Sequence, residues 1–180
     1  MEGDFEGNDQ ARIKQAWENS KDWITEFDGT PNTTVLVGIS EPGLLAGIQA
    51  LAGQTENFRI TTIPAGQMEA AQFIPLDSLG EAVEQLKEGK LEELSANYAV
   101  RQEAFDLDIR LVIYWMENQS AAVELYWWTD QVFSIETDQP AQFAALMAYF
   151  IEVQKLFSAS NLYVTPEGGQ GNEVEHWIEV

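Results

Sequence analysis

The chain has 180 residues, 45% of them hydrophobic and 22% charged, with no cysteine, so disulfides, thiolate metal sites and cysteine nucleophiles are excluded. Thirty acids against nine bases give a formal net charge of −21. Such a surface repels nucleic acid and anionic lipid, which are bound through basic side chains that displace counterions. The acid admits three readings: solubility, adaptation to high salt, or an acidic face that docks a basic partner.

The start, Met1-Glu2-Gly3-Asp4-Phe5-Glu6, has acid where a secretory signal needs base, and the longest strongly apolar stretch, Phe143 to Ile151, is far short of the ~20 residues that span a bilayer. The expectation is a cytoplasmic protein with no membrane partner. Residues 1–8 are expected to fray, and 9–180 to form a single domain.

Apolar positions Ile13, Ala16, Trp17, Trp23, Ile24 and Phe27 recur at helical spacing after a cap at Asn8 or Asp9, with Asp28-Gly29 as the stop. Thr34 to Ile39 reads as a buried strand. Ser40 suits a helix N-cap, Pro42 an early helical position and Glu41 the positive end of the dipole, so Leu44 to Leu51 is a short helix ended by Gly53. Phe58 to Ile63 and Met68 to Ile74 are strand candidates around a Pro64-Ala65-Gly66 turn. A helix capped at Asp77 or Ser78 runs through Leu86 to Gly89, and Lys90 to Gln102 is expected as another, with Glu92 and Glu93 on its solvated face.

Leu107 to Met116 and Ala121 to Phe133 read as a hairpin joined through Glu117-Asn118-Gln119-Ser120. Pairing Met116 with Ala121 sets Tyr114 opposite Val123, Val112 opposite Leu125 and Arg110 opposite Trp127. Ile109, Leu111, Ile113 and Trp115 then share a face with Ala122, Glu124, Tyr126 and Trp128. Both faces are largely apolar, unlike a sheet wetted on one side. Either helices cover both, or one is a binding surface. Asp138 and Pro140 start a helix to about Ser158, apolar nearly all round and so a core helix or an oligomer contact. Leu162 to Val164 and Val174 to Val180 are further strands.

The fold expected is α+β: a mainly antiparallel sheet centred on the 107–133 hairpin, with helices packed on it. An α/β sandwich with a mixed sheet is the alternative, because the strand–helix–strand stretch 34–63 could add a parallel pair.

Chemistry-bearing motifs are sparse. The segment Gly38-Ile39-Ser40-Glu41-Pro42-Gly43 resembles a phosphate-presenting turn, but it lacks a following Lys and places an acid where the anion would sit. His176, the single histidine, alternates onto the side of Val174 and Ile178 and reads as structural. Glu103, Asp106 and Asp108 cluster before the hairpin, where Asp108 and Arg110 could simply pair. No catalytic, metal or cofactor site is assigned.

The candidate interaction surface is Tyr114, Trp115, Glu124, Tyr126, Trp127 and Trp128, since aromatics dominate interface hot spots as well as cores. The function expected is a non-enzymatic acidic interaction module, of immunity or inhibitor type, that binds a basic partner or a second copy of itself. Alternatives are a small apolar-ligand-binding domain using the aromatic hairpin face, and a carboxylate-dependent enzyme around Asp106 and Asp108.

Overall fold

The computed structural model describes residues 3–26, 31–133, 138–166 and 178–179. Helix α1 (Gly3–Ile24) is followed by β1 (Pro31–Ile39), α2 (Glu41–Gln54), β2 (Glu56–Pro64), β3 (Gln72–Ile74), α3 (Leu79–Lys87) and β4 (Leu91–Arg101); then come β5 (Asp106–Trp115), β6 (Ala121–Trp128), α4 (Gln139–Phe157), β7 (Asn161–Pro166) and β8 (Ile178–Glu179). The strands form one sheet in the order β3-β2-β4-β5-β6-β1-β7-β8. Every pairing is antiparallel. This is an α+β fold with the 107–133 hairpin at its centre.

The mixed-sheet alternative does not occur. β1 and β2 point the same way, but β4, β5 and β6 lie between them, so α2 carries the chain across the sheet and not to a neighbouring strand. Local sequence specifies strand, helix and strand; which strands become neighbours depends on partners far along the chain.

The helix signals are used as read. The Ser40 hydroxyl accepts from the Gly43 N–H at 3.3 Å, and the Asp138 carboxylate accepts from the Ala141 N–H at 3.2 Å. Each satisfies an amide that the first helical turn leaves without a partner. α1 starts at Gly3, upstream of the expected cap. Ser78 caps α3 with no side-chain hydrogen bond, and Gly89 stops it at φ +69°.

The expected helix over 90–102 is instead strand β4. Its segment begins with helix formers, but Leu94, Ala96, Tyr98 and Val100 lie two apart and enter the core, while Ser95 and Ala99 are buried on the opposite face. Pairing on both sides, with β2 and β5, overrides the local preference.

The hairpin register is also one residue away from expectation. Trp115 pairs with Ala121, Tyr114 with Ala122, Val112 with Glu124 and Arg110 with Tyr126. Met116 N–H donates to the Ser120 carbonyl at 2.9 Å, and Gln119 takes a left-handed φ of 63°. The loop is therefore three residues with a bulge, and not four. A one-residue slip exchanges the faces. Ile109, Leu111, Ile113 and Trp115 share a face with Ala121, Val123, Leu125 and Trp127, while Arg110, Val112 and Tyr114 share the other with Ala122, Glu124, Tyr126 and Trp128.

All four helices lie on the first of these faces. A single core cluster joins Ala16 and Ile24 of α1, Leu44, Ile48 and Leu51 of α2, Leu79 and Val83 of α3 and Phe143, Leu146, Met147 and Phe150 of α4 to the strand residues of that face. α4 crosses both α1 and α2. Its apolar stripe is core, as expected: Phe143, Leu146, Met147, Phe150, Val153 and Phe157 are buried. Among the described residues, no helix covers the second face, and no helix is long and apolar enough to cross a membrane.

Candidate functional site

The face on which no described helix lies is built from rows of cross-strand neighbours, and Thr33, Val35, Ser95, Val112, Glu124 and Thr165 within it are buried. One row runs Arg59, Asn97, Arg110, Tyr126, Thr33, Thr165 from β2 to β7; the next runs Phe73, Thr61, Ser95, Val112, Glu124, Val35, Tyr163 from β3 to β7. Three of the chain's four arginines, Arg59, Arg101 and Arg110, stand on this face with Glu56, Glu93, Asp106, Asp108 and Glu124. Among the described side chains this face carries three bases and five acids.

At its centre Tyr114, Tyr126 and Trp128, with Pro31, Val112, Glu93 and Arg110, line a groove of about 370 Å³. A second depression of about 330 Å³ adjoins it, sharing Arg110 and Trp128 and adding Asn97 and Asp108. Each polar group at the groove has a defined role. Arg110 reaches Glu93 at 2.6 Å, and the other oxygen of Glu93 accepts from the Ser95 hydroxyl at 2.6 Å.

Glu124 is only 3% exposed. The Tyr126 hydroxyl donates to its Oε2, and the Tyr114 hydroxyl belongs to the same hydrogen-bonded group. Burial, followed by the hydrogen bond to Glu124 and its charge, pushes the Tyr126 phenol far above its ordinary range. Burial and the Glu124 charge raise Tyr114 in the same direction. Thr33, the cross-strand partner of Tyr126, is fully buried, and its hydroxyl has no hydrogen-bond partner.

Of the six residues expected to form one surface, the structure brings together four: Tyr114, Glu124, Tyr126 and Trp128. Trp127 is fully buried on the helix side, tilted against Phe150 with its Nε1 donating to Thr34 Oγ1 at 3.1 Å. Trp115 is half-buried on the same side with the Lys87 ammonium 5.0 Å from its ring centroid. Lys87 also reaches Glu41 at 2.8 Å and Glu84 at 2.7 Å, tying α3 to the start of α2. Both indoles belong to the core and its rim, because the register places odd-numbered residues of β5 and β6 under the helices.

Sequence reading missed Glu93, Arg110, Val112 and Pro31 as groove residues. The spacing of Leu94, Ala96, Tyr98 and Val100 in the sequence was the available signal for Glu93, since on a strand it puts Glu93 on the face opposite Leu94.

Asp106 and Asp108 are exposed on β5, and Glu103 is exposed in the turn before it. Asp108 does not pair with Arg110, which Glu93 takes; it pairs with Arg101, its diagonal neighbour on β4, at 2.9 Å. Among the described residues no three acidic or histidine side chains are placed to share a cation. His176 lies outside the described residues, as does most of the expected 174–180 strand, of which Ile178–Glu179 pairs with β7. Ser40 makes the ordinary cap contact given above.

In comparison with known proteins, the chain matches no family model, no curated protein and no solved structure.

Proposed function

We propose that this chain is an interaction module, of the immunity or inhibitor type and not an enzyme, that docks a basic protein through the helix-free face of its sheet. The observation that carries the reading is the groove of Tyr114, Tyr126 and Trp128 on a face that no described helix covers. When helices cover one face of an antiparallel sheet, the strands normally alternate toward polar residues on the other. Here β5 and β6 keep Val112, Tyr114, Ala122, Tyr126 and Trp128 on it, together with the arginines. Tyr, Trp and Arg are the residue types that concentrate binding energy at interface centres, ringed by near-neutral contacts.

Charge supports the same partner class. The −21 of the whole chain attracts a cationic protein over a Debye length and raises its association rate. On the face itself Glu93, Asp108 and Glu124 already have arginine or tyrosine partners, which lowers the number of uncompensated carboxylates that contact would desolvate.

A selection from a displayed library of random peptides, against the full chain at low salt, tests this. Enrichment of Lys- and Arg-containing peptides whose binding falls at least about tenfold with Trp128→Ala is expected. Trp128 is part-exposed, so a thermal melt can confirm that the variant folds. Peptides that bind the variant as well as the parent chain, or no enrichment at all, would overturn the proposal.

A further inference from the structure

The hydrogen-bond inventory of the groove is weighted toward acceptors. A phenol carries one donor hydrogen and two acceptor lone pairs. Tyr126 commits its hydrogen to Glu124, so its oxygen offers only lone pairs to anything else. Glu93 offers carboxylate oxygens. The strong donor lining the groove, the Arg110 guanidinium, spends one N–H on Glu93 and keeps its other N–H groups. The walls are π-faces from Tyr114, Tyr126 and Trp128. Beside Tyr126 in the same row, the buried Thr33 hydroxyl has no partner at all.

Charge points the same way as the hydrogen bonds. Glu93, Glu124 and Arg110 together leave one net negative charge beneath and beside three aromatic rings. A cation over an aromatic face is attracted by the ring quadrupole, most strongly over Trp, and gains further when water is excluded. An anion would find the remaining N–H groups of Arg110, but beside the Glu93 and Glu124 carboxylates and the π-clouds, which repel it. A neutral apolar group would strand the acceptors without partners, which costs about 1–3 kcal/mol per group. A groove of about 370 Å³ is at the small end of ligand sites, suited to one long side chain and not to a large cofactor.

We infer that the groove between Tyr114, Tyr126 and Trp128 receives one lysine or arginine side chain of the partner, stacked on the rings with the Glu124 carboxylate as buried counter-charge. This rests on the proposal that the helix-free face is the docking surface. Tyr126 mediates the effect of Glu124: donating to the carboxylate makes its oxygen a stronger acceptor toward the incoming cation. Arg110 holds Glu93 in place until the guest arrives and then shares it.

The test uses the full chain, labelled on nitrogen, and follows the tryptophan indole N–H signals by NMR at about 0.15 M ionic strength. Trp128→Phe identifies the Trp128 signal. The probes are the blocked single residues N-acetyl-lysine methylamide and N-acetyl-arginine methylamide. Their neutral counterparts carry an acetylated lysine side chain or citrulline. The cationic probes are expected to shift the Trp128 indole saturably, with a dissociation constant on the order of 1 mM, and the neutral ones not to. Glu124→Gln and Tyr126→Phe are each expected to weaken the cationic probes by at least about fivefold. The second variant keeps the ring, so it guards against the first failing to fold.

Equal shifts by neutral and cationic probes, no response at Trp128, or unchanged affinity in a folded variant would each refute the inference. If the peptide selection still maps binders to Trp128 without a bias toward basic residues, the docking face stands and the cation groove fails. If nothing maps to that face, both fail.

Discussion

Glu124 sits among Val112, Val35, Tyr114 and Tyr126 with almost no access to water, and its carboxylate is satisfied by phenols. Leaving such a group unpaired costs several kcal/mol, so the tyrosines are part of the fold as well as of the groove. Tyr98 and Tyr149 form a second buried pair on the helix side, hydroxyl to hydroxyl at 3.2 Å. Burial raises Tyr98 well above its ordinary range and pushes Tyr149 up to about 12. A phenol whose folded pKa exceeds its unfolded value of ~10 contributes stability that is complete below pH ~10. That stability is lost as pH climbs toward the folded value, here a window from about 10 to about 12. Phenolate absorbance should therefore show fewer than the chain's five tyrosines ionising near pH ~10, and the rest only as far-UV circular dichroism is lost. Ionisation of all five with the dichroism intact would contradict the burial described.

Among the elements, the hairpin and the α2–α4 contact carry the most consequence. Identical residues in the neighbouring register would have put Trp115 in the groove and Tyr114 under the helices. The left-handed residue at Gln119 decides between them, and the sequence Glu117-Asn118-Gln119-Ser120 carries no glycine to announce it. On the helix side, α4 approaches α2 so closely that a Cβ on Gly47 would lie 2.6 Å from the Phe157 ring, and one on Gly43 2.6 Å from the Phe157 carbonyl oxygen. Gly47→Ala should destabilise the protein by about 1–3 kcal/mol through overpacking, despite alanine's better helix propensity. Gly53→Ala, in the same helix with open space around it, should stabilise by up to about 1 kcal/mol. Urea unfolding of the two variants separates these effects, and a neutral Gly47→Ala would mean that the helices can slide apart at no cost. The spacing of α2 and α4 was legible in the sequence as apolar period and caps. Their closeness was not, because Gly43 and Gly47 read equally well as weak helix positions.

For the whole molecule, thirty acids face nine bases, while one sheet face gathers three of the four arginines beside its aromatic groove. Like charges at this density oppose compaction, so salt should stabilise the fold. Raising ionic strength from about 0.01 M to about 1 M shortens the Debye length from about 30 Å to about 3 Å. The melting temperature should rise by several degrees over that range, measured by calorimetry in sodium chloride. A flat or falling curve would show that the acids are compensated locally, despite their excess over the bases. Composition by itself determined the acidic character, the absence of cysteine chemistry and, through apolar periodicity and capping residues, most of the helices and strands. An antiparallel sheet around the 107–133 hairpin was legible too, because long β-branched and aromatic runs flank one short polar turn. Tertiary structure alone decided the strand identity of 91–101, the register that sorts Tyr114, Glu124, Tyr126 and Trp128 from Trp115 and Trp127, and the gathering of every helix on one face. Those outcomes depend on pairing between residues distant in the chain, where a shift of one position exchanges the two faces while leaving the local preferences unchanged.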